Sequence, residues 1–200
     1  MSVAERRQRE KLALRQEILA AARQLFAKEG YEQVSMRRIA QKIEYSPTTI
    51  YLYFRDKDEL IGELCEESFL LLKKKVETAL GDGGDPVDNL KRGLRAYVDF
   101  GILHPNHYRT TFLTPHEDLS PEQMSSAGRA AFEMMLQGVG KCIKARRFCE
   151  TDVNAIGQAL WCMVHGLTAL QITHRNCFPW IDRERLITMT IEKAVAGFLR

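Results

Sequence analysis

The chain has 200 residues, 45% apolar and 28% charged, a composition that suits a real core under a soluble surface. Its N-terminal segment is too charged for a signal peptide. Five cysteines without a C-x-x-C pair argue against a disulfide framework or zinc ribbon and for a reducing cytoplasm. The net charge of +3 is uneven. Residues 1–55 hold 11 Lys and Arg against 6 Asp and Glu, a net +5, and residues 56–200 hold 18 against 20, a net −2. A basic N-terminal quarter fits a nucleic-acid partner or a merely solvated basic tail.

Taken in order, Arg6, Arg7, Arg9 and Lys11 read as a frayed basic arm. Leu14, Ile18, Ala21, Ala22, Leu25 and Phe26 recur at helical spacing, so a first helix is expected over about 11–29, closed by Gly30. Ser35 is placed to cap a second helix whose apolar face is Met36, Ile39, Ala40 and Ile43. Glu44, Tyr45 and Ser46 form a turn, with Ser46 as cap and Pro47 at the first position of a third helix. The run Thr49–Phe54 is β-branched and aromatic, so propensity alone reads it as a strand. Its Ser-Pro start, the i, i+4 spacing of Ile50 and Phe54 and the flanking helices favour a helix. Asp56 with Glu59 resembles a capping box that opens a long helix over 57–80.

The stretch from Gly81 to Pro86 breaks the chain. Helices are then expected from Val87 to His104, around Tyr108 and Phe112, from Ser120-Pro121-Glu122 to about Arg147, over about 152–174 with Thr151 as cap, and over about 183–199 with Asp182 as cap. Val153–Thr173 carries no Lys, Arg, Asp or Glu and is long enough to cross a bilayer. Its Asn154, Gln158, His165 and Gln171 oppose a membrane span and favour burial in a core or against a second subunit.

The stretch Ile39-Ala40, Ser46, T-I-Y-L-Y-F at 49–54, Lys57 and Leu60 resembles the TetR family of bacterial transcriptional regulators. The family pattern is close to I-A-x-x-A-G-V-S-x-G-T-L-Y-x-Y-F-x-x-K-x-x-L, and residues 14–72 fit it almost without gaps. Trp161, His165 and Gly166 give a second likeness, to the TetR-type C-terminal domain with a Trp-His-Gly pattern. The resemblance implies an all-α chain. Residues 1–60 would be a three-helix, helix-turn-helix DNA-binding domain with a recognition helix at about 47–53. Residues 61–200 would be a regulatory and dimerisation domain entered through helix 57–80. It further implies a cytoplasmic repressor released from palindromic double-stranded operator DNA by a small-molecule effector, with a homodimer made through the last two helices. Control by a protein partner or by concentration is the alternative.

Residue chemistry fits the DNA-facing part. Ser35 and Thr49 can hydrogen-bond phosphate at helix starts. Arg37 matches a position that reads bases in some members, and Arg pairs with guanine. Pro47, Thr48 and Thr49 open the recognition helix and can meet base edges and thymine methyls. Tyr51 and Tyr53 match backbone-contacting positions, against packing on the first helix for Tyr51 and solvent exposure for Tyr53. Lys57 opposes the macrodipole of its helix at a cost of ~0.3–1 kcal/mol, which a bound phosphate would reverse; otherwise it is a solvated lysine. Where the family has Gly, this chain has Glu44 and Thr48, so the turn shape and the bases read are expected to differ.

In the C-terminal half, Tyr97, Phe100, Tyr108, Phe112, Phe132, Met135, Trp161 and Met163 can line an apolar cavity or form plain core. His165 is either a core histidine or the polar handle of such a cavity. His104, His107 and His116 lack Cys or carboxylate partners at ligand spacing, so no metal is expected. No phosphate loop, dinucleotide fingerprint or H-E-x-x-H motif is present, so neither a cofactor nor an enzyme is expected.

Overall fold

A computed structural model describes residues 2–80, 83–114 and 125–200. Helix α1 spans Val3–Glu29, with Ser2 and Glu5 closing a capping box at its start. The basic segment is therefore helical rather than frayed. Residues 2–13 are exposed throughout, and only from Leu14 does α1 begin to meet the core. Gly30, at φ 84°, ends α1 in a conformation that L side chains rarely adopt, and its N–H reaches the Phe26 carbonyl at 3.0 Å.

Helix α2, Met36–Lys42, is capped by Ser35, and α3, Pro47–Tyr51, by Ser46. The strand alternative for 49–54 is not realised, because helical spacing buries Ile50 and Phe54 completely in one cluster. That cluster also takes Ile18, Leu19, Ala22, Phe26, Ile39, Ala40, Leu60 and Leu64, so α1 to α3 and the first part of α4, Lys57–Leu80, share one core. At the start of α4, Asp56 Oδ1 accepts from the Glu59 N–H at 2.8 Å. Glu59 reaches back to the Arg55 N–H at 2.6 Å, one residue earlier than a capping box would have it.

By contacts the chain divides into two units, the described residues of 1–68 and 106–123 in one and those of 69–105 and 124–200 in the other. The first unit thus also holds most of α6, Pro105–Tyr108, and a π-helical turn, Arg109–Leu113. Within it, Ser68 Oγ donates to the Leu64 carbonyl at 2.7 Å and lies 3.0 Å from His107 Nδ1.

In the second unit α5, Pro86–Leu103, packs against α7, Ser126–Lys144, α8, Val153–Thr173, and α9, Arg183–Ala196. Leu90, Leu94, Val98, Phe100, Val139, Ile156, Leu160, Val164, Ile187 and Val195 are its buried centre. Gly157 lets α7 and α8 approach closely, since a Cβ there would meet Leu136 Cδ2 at 2.5 Å. The cap of α8 is Asp152, not Thr151, because the Asp152 carboxylate accepts from both the Asn154 and Ala155 N–H groups. The expected opening of α7 at Ser120-Pro121-Glu122 lies outside the described residues, and α7 is capped by Ser125. It ends at Lys144 rather than Arg147, since Arg146 turns left-handed at φ 56°. Helix α9 stops at Ala196, short of Leu199, because the last residues pair with the α7–α8 connection. There Cys149 N–H donates to the Phe198 carbonyl at 2.9 Å.

Candidate nucleic-acid interface

Helices α2 and α3 are joined by a Schellman turn. The Tyr45 N–H reaches the Ala40 carbonyl at 3.0 Å and the Glu44 N–H reaches that of Gln41 at 3.3 Å. Glu44 occupies the left-handed position, at φ 61°. The chain then enters α3 at once, with Ser46 Oγ accepting the Thr49 N–H at 3.2 Å and Pro47 supplying a first residue that needs no partner. A five-residue helix is short of intrinsic stability, so this cap and the buried Ile50 hold it in place.

Helical phase decides what α3 presents. At about 100° per residue, Thr48 and Leu52 each lie within about 20° of the line opposite Ile50. Thr48 and Pro47 are exposed, Tyr51 is 54% exposed and Leu52 75%. Tyr53 falls about 60° from Ile50 and packs, half-buried, on the core. The alternatives weighed for the two tyrosines are thus exchanged: Tyr51 is the outward one and Tyr53 the packed one. Thr49 is half-buried, its hydroxyl 2.9 Å from that of Ser46.

In α2 the Ser35 oxygen accepts the Arg38 N–H at 3.1 Å. Arg38 pairs with Glu29 at 3.1 Å, whereas Arg37 is exposed with no ion pair among the described residues. Lys57 is already held in the free protein. Its Nζ donates to the Tyr31 carbonyl at 3.0 Å and sits 3.8 Å from the Tyr31 ring centroid. The Tyr31 hydroxyl in turn donates to Asp58. Burial, then the Asp58 carboxylate, holds the Tyr31 phenol well above its ordinary pKa. Asp56 is held below the usual carboxylate range by the Glu59 N–H and then by Arg55. The start of α4 therefore meets its dipole with carboxylates, and Lys57 lies along Tyr31 with donors left for a phosphate.

Tyr31 and Leu52 contribute to this surface without having been expected there. Tyr31 follows a loop glycine and has no periodicity to mark it. Leu52 was readable as the residue four after Thr48 on the face opposite Ile50.

Of the residues expected around a cavity, Tyr108 and Phe112 belong to the first unit, with ring centroids 4.9 Å apart. In the second unit Tyr97 is a hub. Its hydroxyl accepts from Trp161 Nε1 at 3.2 Å and lies 3.1 Å from His165 Nδ1. Phe132 meets the Trp161 ring edge-on at 6.2 Å. Burial lowers the pKa of His165, which favours the neutral ring. Phe100 is fully buried, Met135 half-buried, and Met163 47% exposed on another face of α8. His104 packs on the Phe100 ring, and His116 lies outside the described residues. Among the described residues no three His, Cys, Asp or Glu gather as metal ligands.

An all-helical chain with a capped bihelical unit, a tight turn and an outward polar face defines a helix-turn-helix protein. Residues 18–64 match the model of bacterial regulatory proteins of the tetR family, and residues 90–193 match a tetracyclin repressor-like C-terminal domain. The chain belongs to the TetR family and is a DNA-binding transcriptional regulator, not an enzyme. It is 36% identical over 67 residues to an uncharacterized HTH-type transcriptional regulator of Haemophilus influenzae. That match covers 34% of this chain and only 36% of that relative. A tetR-family regulatory protein of Rhodococcus RHA1 has the same fold, with a TM-score of 0.78 at 20% identity over 92% of this chain and 96% of that one. The TetR-family regulator PfmR of Thermus thermophilus is similar with a TM-score of 0.73 at 24% identity, over 92% of this chain and 99% of that one.

Proposed function

We propose that the protein is a homodimeric repressor. It places α3 of each subunit in the major groove of one half of a palindromic operator and leaves when a small molecule binds its second unit. The observation that carries this is the outward face of α2 and α3, where Arg37, Pro47, Thr48 and Tyr51 stand exposed while Ile39, Ile50 and Phe54 are buried beneath. Arg37 and Thr48 would read bases. Ser35, Thr49, Tyr51, Tyr53 and Lys57 would position the backbone. Residues 1–60 then act as the DNA-binding domain and 61–200 as the regulatory one. The shared helix α4 carries a coupling of the usual ~1–3 kcal/mol between them.

The hydrogen-bonded set Tyr97, Trp161 and His165 among aromatic rings suits an amphipathic effector, with polar groups to orient it and rings to cover it. A dimer through α8 and α9 is supported by α8 itself, which is uncharged yet leaves Trp161, Met163 and Leu170 exposed. The five free thiols fit a cytoplasmic protein.

The test is a gel shift of the full-length dimer on palindromes selected from a random duplex pool. Binding should weaken steeply with salt, with a log–log slope of about −0.9 per phosphate neutralised. Selection of no duplex at low salt would sink the proposal.

A further inference from the structure

Leu52 is the most exposed large hydrophobic residue among the described ones, at 75%. It is no loose loop residue. Its backbone is helical at φ −73°, ψ −16°, and its N–H bonds to the Thr49 and Ile50 carbonyls, so the side chain projects from a fixed point at the end of α3. Together with Thr48 it forms the line of α3 opposite the buried Ile50, and Tyr51 flanks that line.

Such a tip is mostly aliphatic: an isobutyl group and a threonine methyl, one helical turn apart. Apolar surface held out in water is unfavourable unless a partner covers it. The surrounding charge selects that partner. Residues 35–57 hold five Lys and Arg, at 37, 38, 42, 55 and 57, against the two carboxylates Glu44 and Asp56; Arg38 pairs with Glu29 and Arg55 with Asp56, while Arg37 and Lys42 make no ion pair among the described residues. A net positive segment that carries an exposed apolar residue disfavours a wholly apolar partner and suits a duplex groove, where phosphates border an apolar group. The one apolar group that base pairs present in the major groove is the thymine 5-methyl. Leucine has no side-chain donor or acceptor and cannot read guanine, cytosine or adenine edges directly.

We infer that Leu52 is a specificity-determining residue that reads thymine in each half-site by covering its 5-methyl group. This rests on the assignment of α3 to the major groove and adds the chemistry it recognises there.

The test is a uracil scan of the duplex selected by the wild-type protein, replacing each thymine in turn, with wild-type, Leu52→Ala and Leu52→Met. Uracil lacks only the methyl. At one thymine per half-site, uracil should weaken wild-type binding about fourfold, the worth of one buried methyl-sized group. It should weaken Leu52→Met similarly and leave Leu52→Ala unchanged. Because Leu52 is exposed, Leu52→Ala should unfold at the wild-type temperature, which a melt checks. A uracil penalty that is equal in wild-type and Leu52→Ala at every thymine overturns the inference and leaves α3 in the groove. If the wild-type protein selects no duplex at all, the groove assignment falls and the thymine inference falls with it.

Discussion

Glu44 is held at φ 61° by two hydrogen bonds of the turn, and there its Cβ crowds the following carbonyl at a cost of roughly 1–2 kcal/mol. Glycine removes that crowding but frees the unfolded chain, which returns about 0.4–1 kcal/mol of the gain. Glu44→Gly should therefore stabilise the protein by up to about 1.5 kcal/mol, seen as a rise of a few degrees in Tm; a lower Tm would mean that the side chain makes a favourable interaction of its own. This strain was legible in the residue types, since Glu stands where relatives have Gly. The fates of Tyr51 and Tyr53 were legible too, had the phase been counted from Ile50. The clamp on Lys57 was not, because the Tyr31 carbonyl that holds it is a backbone group 26 residues away, invisible to any side-chain pattern. The same holds for Tyr97, whose two partners lie 64 and 68 residues along the chain.

Helix ends were the most readable elements, because a cap is a local event: Ser35, Ser46 and Asp182 all accept the N–H groups expected of them. The extent of α1 was missed for want of apolar periodicity in residues 3–13. Its true signal was Ser2 with Glu5, supported by Arg6 and Glu10 at i, i+4. The π-helical turn Arg109–Leu113 had no signal at all. Such turns interrupt an α-helical run with i→i+5 hydrogen bonds, which no side-chain period announces. Within this turn Thr110 is fully buried, and its Oγ1 has no hydrogen-bond partner among the described residues. Thr110→Val exchanges that hydroxyl for a methyl of like volume and should stabilise the protein by about 1 kcal/mol in denaturant unfolding. A loss of stability would show that the hydroxyl is satisfied in solution.

At the scale of the whole molecule, the uncharged α8 reads from its sequence as core or subunit contact, and it leaves Trp161, Met163 and Leu170 partly exposed in the single chain. Leu170 is 43% exposed on this helix. On the dimer proposed through α8 and α9, Leu170→Glu should shift the protein from dimer to monomer in light scattering at micromolar concentration, by placing an unpaired charge in the contact; a variant that stays dimeric would move the contact elsewhere. Binding to the proposed palindromic operator should fall with it, as two half-sites held together gain effective concentration. The exposed start of α1 acts at longer range still. Arg7, Arg9 and Lys11 ride on helix that meets no core, beside an Arg6 that is paired with Glu10, so the segment carries positive potential into solvent. Fields of that kind act before contact, within a Debye length of about 8 Å at physiological salt. The capped first turns should thus speed the regulator's association with DNA at low ionic strength.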